Sequence, residues 1–288
     1  MQEKKLTTLL EIIKYSANLL SDKGIKDSRL NVELMFCDIL KCDRIKLYLD
    51  FDKPLQQDEI TIFKKMLKRR MLKEPLQYIL GKTNFYGYDI ILNSKVLIPR
   101  QETEILVEKI INDILSSSHE FIRILEIGSG SGCIAVALSG ELSKKNIKHR
   151  ILSIDISEEA IDIARQNADR NNIELSNLEF RKFDFLKESI TDIFDYVVSN
   201  PPYIPEKDIQ SLDDEVRLYE PVNALSDGGE GTAFYSKIFS ELADKSRIFL
   251  EIGDGRRKYI EDELKKHNIK DYNFCKDYCN IDRVLIIK

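Results

Sequence analysis

The sequence predicts an α/β protein, with a mostly parallel sheet of seven strands covered by helices on both faces, a small helical bundle ahead of it and a β-hairpin between the two. Three observations carry this prediction. From residue 121 onward, apolar β-branched runs alternate with segments of helical periodicity, the pattern of strands joined by crossover helices. The first of these runs, Ile122-Arg123-Ile124-Leu125-Glu126-Ile127, passes straight into the glycine-rich segment Gly128-Ser129-Gly130-Ser131-Gly132. Residues 1–75, by contrast, show helical spacing and no strand-like alternation.

Taken in order, Leu6, Leu9, Leu10, Ile13 and Ala17 fall on one helical face. Ser28 is placed to cap a second helix carrying Leu30, Leu34, Ile39 and Leu40. Ile60, Phe63, Met66 and Leu67 mark another, begun after Pro54. Pro75 stops the bundle, which is expected as a domain over 1–75. Tyr78-Ile79-Leu80-Gly81 and Phe85 to Leu92, aromatic and β-branched around Gly81, Asn84 and Gly87, predict the hairpin within a linker over 76–99. A third domain is expected over 100–288, opened by the polar turn Pro99-Arg100-Gln101-Glu102-Thr103-Glu104 and a helix from about Ile105 to Leu115. Strands are expected at 122–127, 150–155, 178–183, 194–199, 247–252, 272–276 and 283–287, and helices at 133–144, 158–171, 232–244 and 256–267. In such sheets ligands bind outside the carboxyl ends of the strands.

Composition narrows the class. The 288 residues are 43% hydrophobic and 32% charged, with no 18-residue apolar stretch, so a soluble protein without a membrane span is expected. Met1-Gln2-Glu3-Lys4-Lys5 lacks the apolar core of a signal peptide, which points to the cytoplasm. Five scattered cysteines with no CxxC pair read as reduced thiols rather than a zinc site. His119, His149 and His267 form no ligand spacing and read as surface or loop residues. The net charge of −5 argues against general nucleic-acid binding. Residues 1–80 nevertheless carry 16 Lys+Arg against 12 Asp+Glu, much of the excess lying in Lys64–Lys73. That run reads as the solvated face of an amphipathic helix, or as a contact surface for an acidic or RNA-associated partner.

The chemistry gathers at four places. Asn200-Pro201-Pro202-Tyr203 follows the apolar run Phe194–Ser199. The prolines stiffen the turn, so the Asn200 side-chain oxygen and the Pro201 carbonyl can both serve as acceptors. Together they suit a planar –NH2 group, a carboxamide or an adenine amine, with Tyr203 against its flat face. The plain structural alternative is a rigid loop after a strand. Gly128, Ser129, Gly130, Ser131 and Gly132, preceded by Glu126, have the spacing GxGxG, with Cys133 where a dinucleotide fingerprint needs glycine. Such a loop cradles pyrophosphate poorly and suits a ligand without phosphates. Asp155, ending the second strand, can accept both hydroxyls of a ribose. Asp184 can accept from an adenine amine and Phe185 can pack on its ring, although Phe185 reads equally as core.

These parts fit one ligand, and the arrangement resembles the Rossmann-like class I S-adenosylmethionine-dependent methyltransferases. More closely, the chain resembles the HemK/PrmC-type peptide chain release factor N5-glutamine methyltransferases over nearly its whole length. The likeness rests on Arg29–Leu34, Glu74–Gly81, Phe85-Tyr86-Gly87, Leu97–Glu104, the glycine loop, Val198–Ile204, Val216–Pro221 and Leu250-Glu251-Ile252-Gly253. Gln101-Glu102 stands where the family usually has Pro-Glu, and Asn31-Val32 where it usually has Asp-Ala. The resemblance implies transfer of a methyl group from S-adenosylmethionine to the glutamine side chain of a Gly-Gly-Gln loop in class I release factors, leaving S-adenosylhomocysteine and needing no metal. It implies Glu126, the loop, Asp155, Asp184, Phe185 and Asn200 at the cofactor, Asn200, Pro201, Pro202 and Tyr203 at the substrate, and catalytic roles for Asn200, Pro201 and Tyr203. It also implies that 1–75 helps dock the substrate; a monomer without membrane or stable nucleic-acid binding is expected. Three other readings share these residues: a glutamine methyltransferase of a ribosomal protein, an N6-adenine methyltransferase, and a non-catalytic module that keeps the fold.

Overall fold

The computed structural model of the protein describes residues 8–117 and 119–288, so Met1–Lys5 and Leu6 lie outside the described residues. Its elements in chain order are α1 (Leu9–Asp22), α2 (Ser28–Leu40), α3 (Arg44–Leu49), α4 (Gln57–Met71), α5 (Leu76–Leu80), β1 (Lys82–Phe85), β2 (Tyr88–Ile91), α6 (Gln101–Ser116), β3 (Ile122–Ile127), α7 (Cys133–Lys144), β4 (His149–Asp155), α8 (Glu158–Arg170), β5 (Leu178–Lys182), β6 (Tyr196–Ser199), a 3-10 turn (Glu206–Ser211), α9 (Asp214–Tyr219), α10 (Val222–Leu225), α11 (Ala233–Leu242), β7 (Arg247–Glu251), α12 (Arg257–Lys266), β8 (Tyr272–Lys276) and β9 (Asp282–Ile287). They divide into two compact units: residues up to Gly81 with Asp214–Tyr219, and Lys82–Asp213 with Glu220–Lys288.

The first unit is helical. Thr8 and Glu11 close a reciprocal cap on α1. Leu9, Ile13, Leu20, Val32, Phe36 and Phe63 fill its core, the last two rings stacked 4.2 Å apart. Its polar interior is paired. Glu33, almost fully buried, accepts from Arg29, Arg44 and Tyr48. Burial alone would raise its pKa; the two guanidinium groups and the phenol hold it below the ordinary value. Buried Arg70 donates to Asn31 Oδ1 at 2.6 Å, to the Glu74 carbonyl at 3.0 Å and to Glu215 on α9 at 2.6 Å. The basic run is therefore not one solvated face. Arg70 is interior, Arg69 pairs with Glu74 and Lys73 with Asp214, while Lys64, Lys65 and Lys68 are exposed.

The second unit holds a two-stranded hairpin, β1 against β2, and a seven-stranded sheet in the order β5-β4-β3-β6-β7-β9-β8. Only β9 runs against its neighbours. The central strands β3, β6 and β7 are buried along nearly their full length, as strands covered on both faces are. Because β3 pairs with β4 on one side and β6 on the other, the chain leaves these strands toward opposite faces, and a crevice opens at their carboxyl ends. Among the described residues no helix is long and apolar enough to cross a membrane.

Three local expectations are corrected. Tyr78-Ile79-Leu80 lies in the short helix α5, begun at Pro75 and ended by Gly81 at φ 70°, so the hairpin starts only at Lys82. The aromatic and β-branched composition there reflects burial of Tyr78 and Ile79, which overrides strand propensity. Asp27, not Ser28, occupies the cap position of α2. His149 is no surface residue: it is buried on β4, with Nδ1 2.9 Å from the Ile147 carbonyl and Nε2 3.0 Å from Ser139 Oγ. A carbonyl only accepts, so Nδ1 carries the proton and Nε2 accepts from the serine. Burial lowers the ring's pKa, consistent with the neutral form.

Gly132 shows why the loop between β3 and α7 is tight. It sits at φ 76°, and a Cβ there would lie 2.7 Å from Ala164 Cβ and 3.0 Å from Ala164 Cα on α8. Both the backbone conformation and the contact exclude a side chain. Gly132→Ala is expected to destabilise the protein by about 1–3 kcal/mol. A denaturant midpoint equal to that of the unaltered chain would contradict this packing role.

Candidate active site

A cavity of about 270 Å³ opens at the carboxyl ends of β3, β4 and β6. Its walls include Gly128, Ser129, Gly130 and Ser131 from the loop after β3, Asp155 from β4, Asp184 and Phe185 after β5, and Asn200 and Pro202 after β6. These residues, far apart in the chain, thus share one space. Glu126, Gly132, Pro201 and Tyr203 are not part of its lining.

The glycine loop is fastened from below. The amides of Gly128 and Ser129 both donate to the Ile154 carbonyl, at 2.8 and 2.9 Å. Asp155 spans two elements: one oxygen accepts from the Gly130 amide at 2.8 Å, the other from the Ser157 amide at 2.9 Å. Its pKa is raised by burial, against the pull of these backbone donors. Each carboxylate oxygen still has a lone pair for a ligand hydroxyl. Ser157 caps α8 itself, accepting from the Ala160 amide at 3.2 Å.

Across the cavity, Phe185 is buried in the core and stacks with Phe234, the ring centroids 6.2 Å apart. Both line the cavity, so the core and ligand readings of Phe185 hold together. Asp184 pairs with Lys187 at 2.9 Å, which holds its pKa low.

At the end of β6, buried Ser199 donates from Oγ to the Ile127 carbonyl at 2.6 Å, tying the strand ends together just before Asn200. Asn200 Nδ2 donates to Thr103 Oγ1 at 3.2 Å, and Thr103 Oγ1 donates to Glu251 Oε2 at 2.6 Å. Glu251 is buried on β7; burial pushes its pKa to about 7 despite the Thr103 hydroxyl. Tyr203, expected at the cavity, instead packs on the core, its ring in the space left by the absent side chain of Gly253. A Cβ at Gly253 would lie 2.7 Å from that ring.

Sequence reasoning missed Thr103, Asn223, Asp227 and Phe234 in the walls. Only Asp227 left a local signal, the turn Asp227-Gly228-Gly229: its carboxylate accepts from the amides of Gly229, Gly231 and Ala233 at 2.9, 3.0 and 2.8 Å. Within the same unit, Arg100 pairs with buried Glu220 at 2.5 Å, and the Ile98 amide donates to the same carboxylate at 3.2 Å. Gln101, which replaces the family's usual proline, is the exposed first residue of α6 and lies outside the lining. Proline is favoured there but not required, since that amide has no partner within the helix.

The residues fit a nucleoside ligand that also carries a polar amino-acid group. Ser131 Oγ is buried in the wall with no nitrogen or oxygen partner, an arrangement that favours a polar ligand atom beside it. Glu126 lies fully buried beneath the loop rather than in its wall. One of its oxygens accepts from Ser153 Oγ, which is 2.5 Å from Ser129 Oγ; the other has no partner. Burial raises its pKa from 4.5 to about 8. The folded protein therefore holds this proton more tightly than the unfolded chain does. The associated stability is present below pH 4.5 and is lost as pH rises through about 8. Glu126→Gln, which stays neutral, is expected to gain stability relative to the parent as pH rises from 5 to 9, by on the order of a few kcal/mol. A pH-independent difference in calorimetry would refute the raised pKa.

The family model for the PrmC N-terminal domain matches residues 11–81, and that for a methyltransferase domain matches 118–281. The chain is 35% identical to the release factor glutamine methyltransferase of Geobacter sulfurreducens, covering 99% of this chain and 98% of that one. It is 38% identical to the protein of that name from Fusobacterium nucleatum, covering 97% and 78%, and 36% identical to the one from Thermodesulfovibrio yellowstonii, covering 99% and 98%. Likeness at this level over nearly the whole length of both chains leaves one conclusion: the protein belongs to the release factor glutamine methyltransferase family.

Proposed function

We propose that this protein transfers a methyl group from S-adenosylmethionine to the side-chain amide nitrogen of the glutamine in the Gly-Gly-Gln loop of class I release factors, in the cytoplasm. The observation that carries this reading is Asn200. It lines the cavity at the end of β6 with its amide NH2 committed to Thr103, which leaves Oδ1 as its free acceptor.

The roles follow from the residues. Gly128, Ser129, Gly130 and Ser131 receive the amino-acid part of the cofactor, Asp155 the ribose hydroxyls, and Asp184 and Phe185 the adenine. When bound, S-adenosylmethionine supplies a methyl carbon already electrophilic beside a positive sulfur, so the chemistry calls on no metal. An amide nitrogen is a weak nucleophile because its lone pair is shared with the carbonyl. Asn200 Oδ1 and the Pro201 carbonyl accept its two N–H bonds, orient the nitrogen and stabilise the positive charge it gains. The proton then leaves to water. Positioning of this kind is worth roughly 7–11 kcal/mol at best. Pro202 stiffens the turn, and Tyr203, packed by Gly253, anchors it from the core side. The helical unit, with exposed Lys64, Lys65 and Lys68, serves to dock the protein substrate, and the enzyme acts as a monomer.

Two measurements test the reading. Incubation with labelled cofactor and a purified class I release factor, followed by peptide mapping, should place the label on the glutamine of the Gly-Gly-Gln peptide; label on DNA or on a ribosomal protein instead would reject it. Asn200→Ala should lower kcat by about a hundredfold or more with cofactor affinity nearly kept. Asp155→Ala should weaken cofactor binding about tenfold or more in calorimetry.

A further inference from the structure

We infer that Thr103 is a positioning residue for Asn200: its hydroxyl, anchored on Glu251, sets which end of the Asn200 carboxamide faces the cavity. The inference rests on the reading of Asn200 as an acceptor for the substrate amide and asks what makes it one.

A carboxamide is nearly symmetric in shape, so packing alone does not choose between its oxygen and its NH2. Hydrogen bonds choose, and here the choice runs one way through three groups. When Glu251 is ionised its Oε2 only accepts, so it takes the single hydroxyl proton of Thr103 across 2.6 Å. The hydroxyl then has only lone pairs to offer Asn200, 3.2 Å away, and the asparagine must present Nδ2–H to it. Oδ1 is thereby left for the cavity. Were the amide reversed, its NH2 would meet the NH2 of the substrate, donor against donor.

Each link is held independently. Thr103 is the third residue of α6, buried, and also lines the cavity. Glu251 ends β7, and its backbone carbonyl accepts from Tyr235 Oη at 2.6 Å. Core packing gives no reason for a carboxylate there, since burying one is costly and an apolar side chain would fill the same space. The carboxylate there gives the Thr103 hydroxyl an acceptor for its proton.

The test compares Thr103→Val, which keeps the shape and loses the hydroxyl, with Thr103→Ser, which keeps the hydroxyl and loses the methyl. With release factor and saturating cofactor, Thr103→Val should lower kcat at least about tenfold, while the dissociation constant for S-adenosylmethionine stays within about twofold. Thr103→Ser should recover most of that loss. If Thr103→Val folds poorly, Thr103→Ala against Thr103→Ser gives the same contrast, because the two differ in the hydroxyl alone. Turnover by the hydroxyl-free variant within about twofold of the parent overturns the inference, as does a serine variant no better than the hydroxyl-free one. Asn200→Ala, run alongside, separates the two readings. If it turns over normally, Asn200 is not the acceptor and this inference falls with it. If it is impaired while Thr103→Val is not, only the role of Thr103 is lost.

Discussion

The parallel pairing of β3 with β4 on one side and β6 on the other governs the second unit. Three strands end side by side, and the segments that follow them must part to opposite faces of the sheet. The space between those segments is the cavity. Each wall then has its own fastening: Gly128 and Ser129 on the Ile154 carbonyl, Gly130 on Asp155, and Ser199 on the Ile127 carbonyl. The glycine loop is close to the sheet because Gly132 admits α8 where any side chain would exclude it. The ligand walls are therefore consequences of strand order before they are consequences of any one residue.

Burial gives the site its electrostatic character. Glu126 and Glu251 lie buried in the sheet, on β3 and β7, and burial raises both above the ordinary carboxylate range. Each is met by a hydroxyl rather than a full positive charge, Ser153 in one case and Thr103 in the other. A hydroxyl brings no compensating charge, so burial keeps both pKa values high. The hydrogen bonds run on from Ser153 to Ser129 and from Thr103 to Asn200. The first unit treats its buried charges differently. Glu33 is met by two arginines, and Arg70 by Asn31, a backbone carbonyl and Glu215. Those are structural pairings, in which charge is matched within the unit. Asn31 accepts from Arg70 as a neutral partner, and Glu215 supplies the charge.

Much of the second unit was legible because its signals are local. A strand buried on both faces is a short apolar run, and a crossover helix has a 3.6-residue period; both are visible within a dozen residues. The turn after β6 was legible for the same reason, since two prolines after an apolar run constrain the chain whatever surrounds it. The segment at Tyr78–Gly81 was misread because a buried short helix and a strand share the same composition. His149 was misread because a lone histidine carries no mark of burial; only Ser139 and the Ile147 carbonyl, placed by the fold, show that its ring is enclosed.

By itself the sequence determined the alternation of strands and helices, the glycine loop, the carboxylate ending β4 and the rigid turn at Asn200. These depend on backbone sterics and hydrophobic period, which act between neighbours in the chain. Only the tertiary structure decided that Thr103 and Glu251, 97 and 51 residues from Asn200, lie in one hydrogen-bonded chain with it, that Phe234 faces Phe185, and that Tyr203 packs on the core. The reason is physical: the direction of a hydrogen bond depends on what a group's partner can donate or accept, and partners distant in the chain are chosen by strand order and packing, which no local pattern encodes.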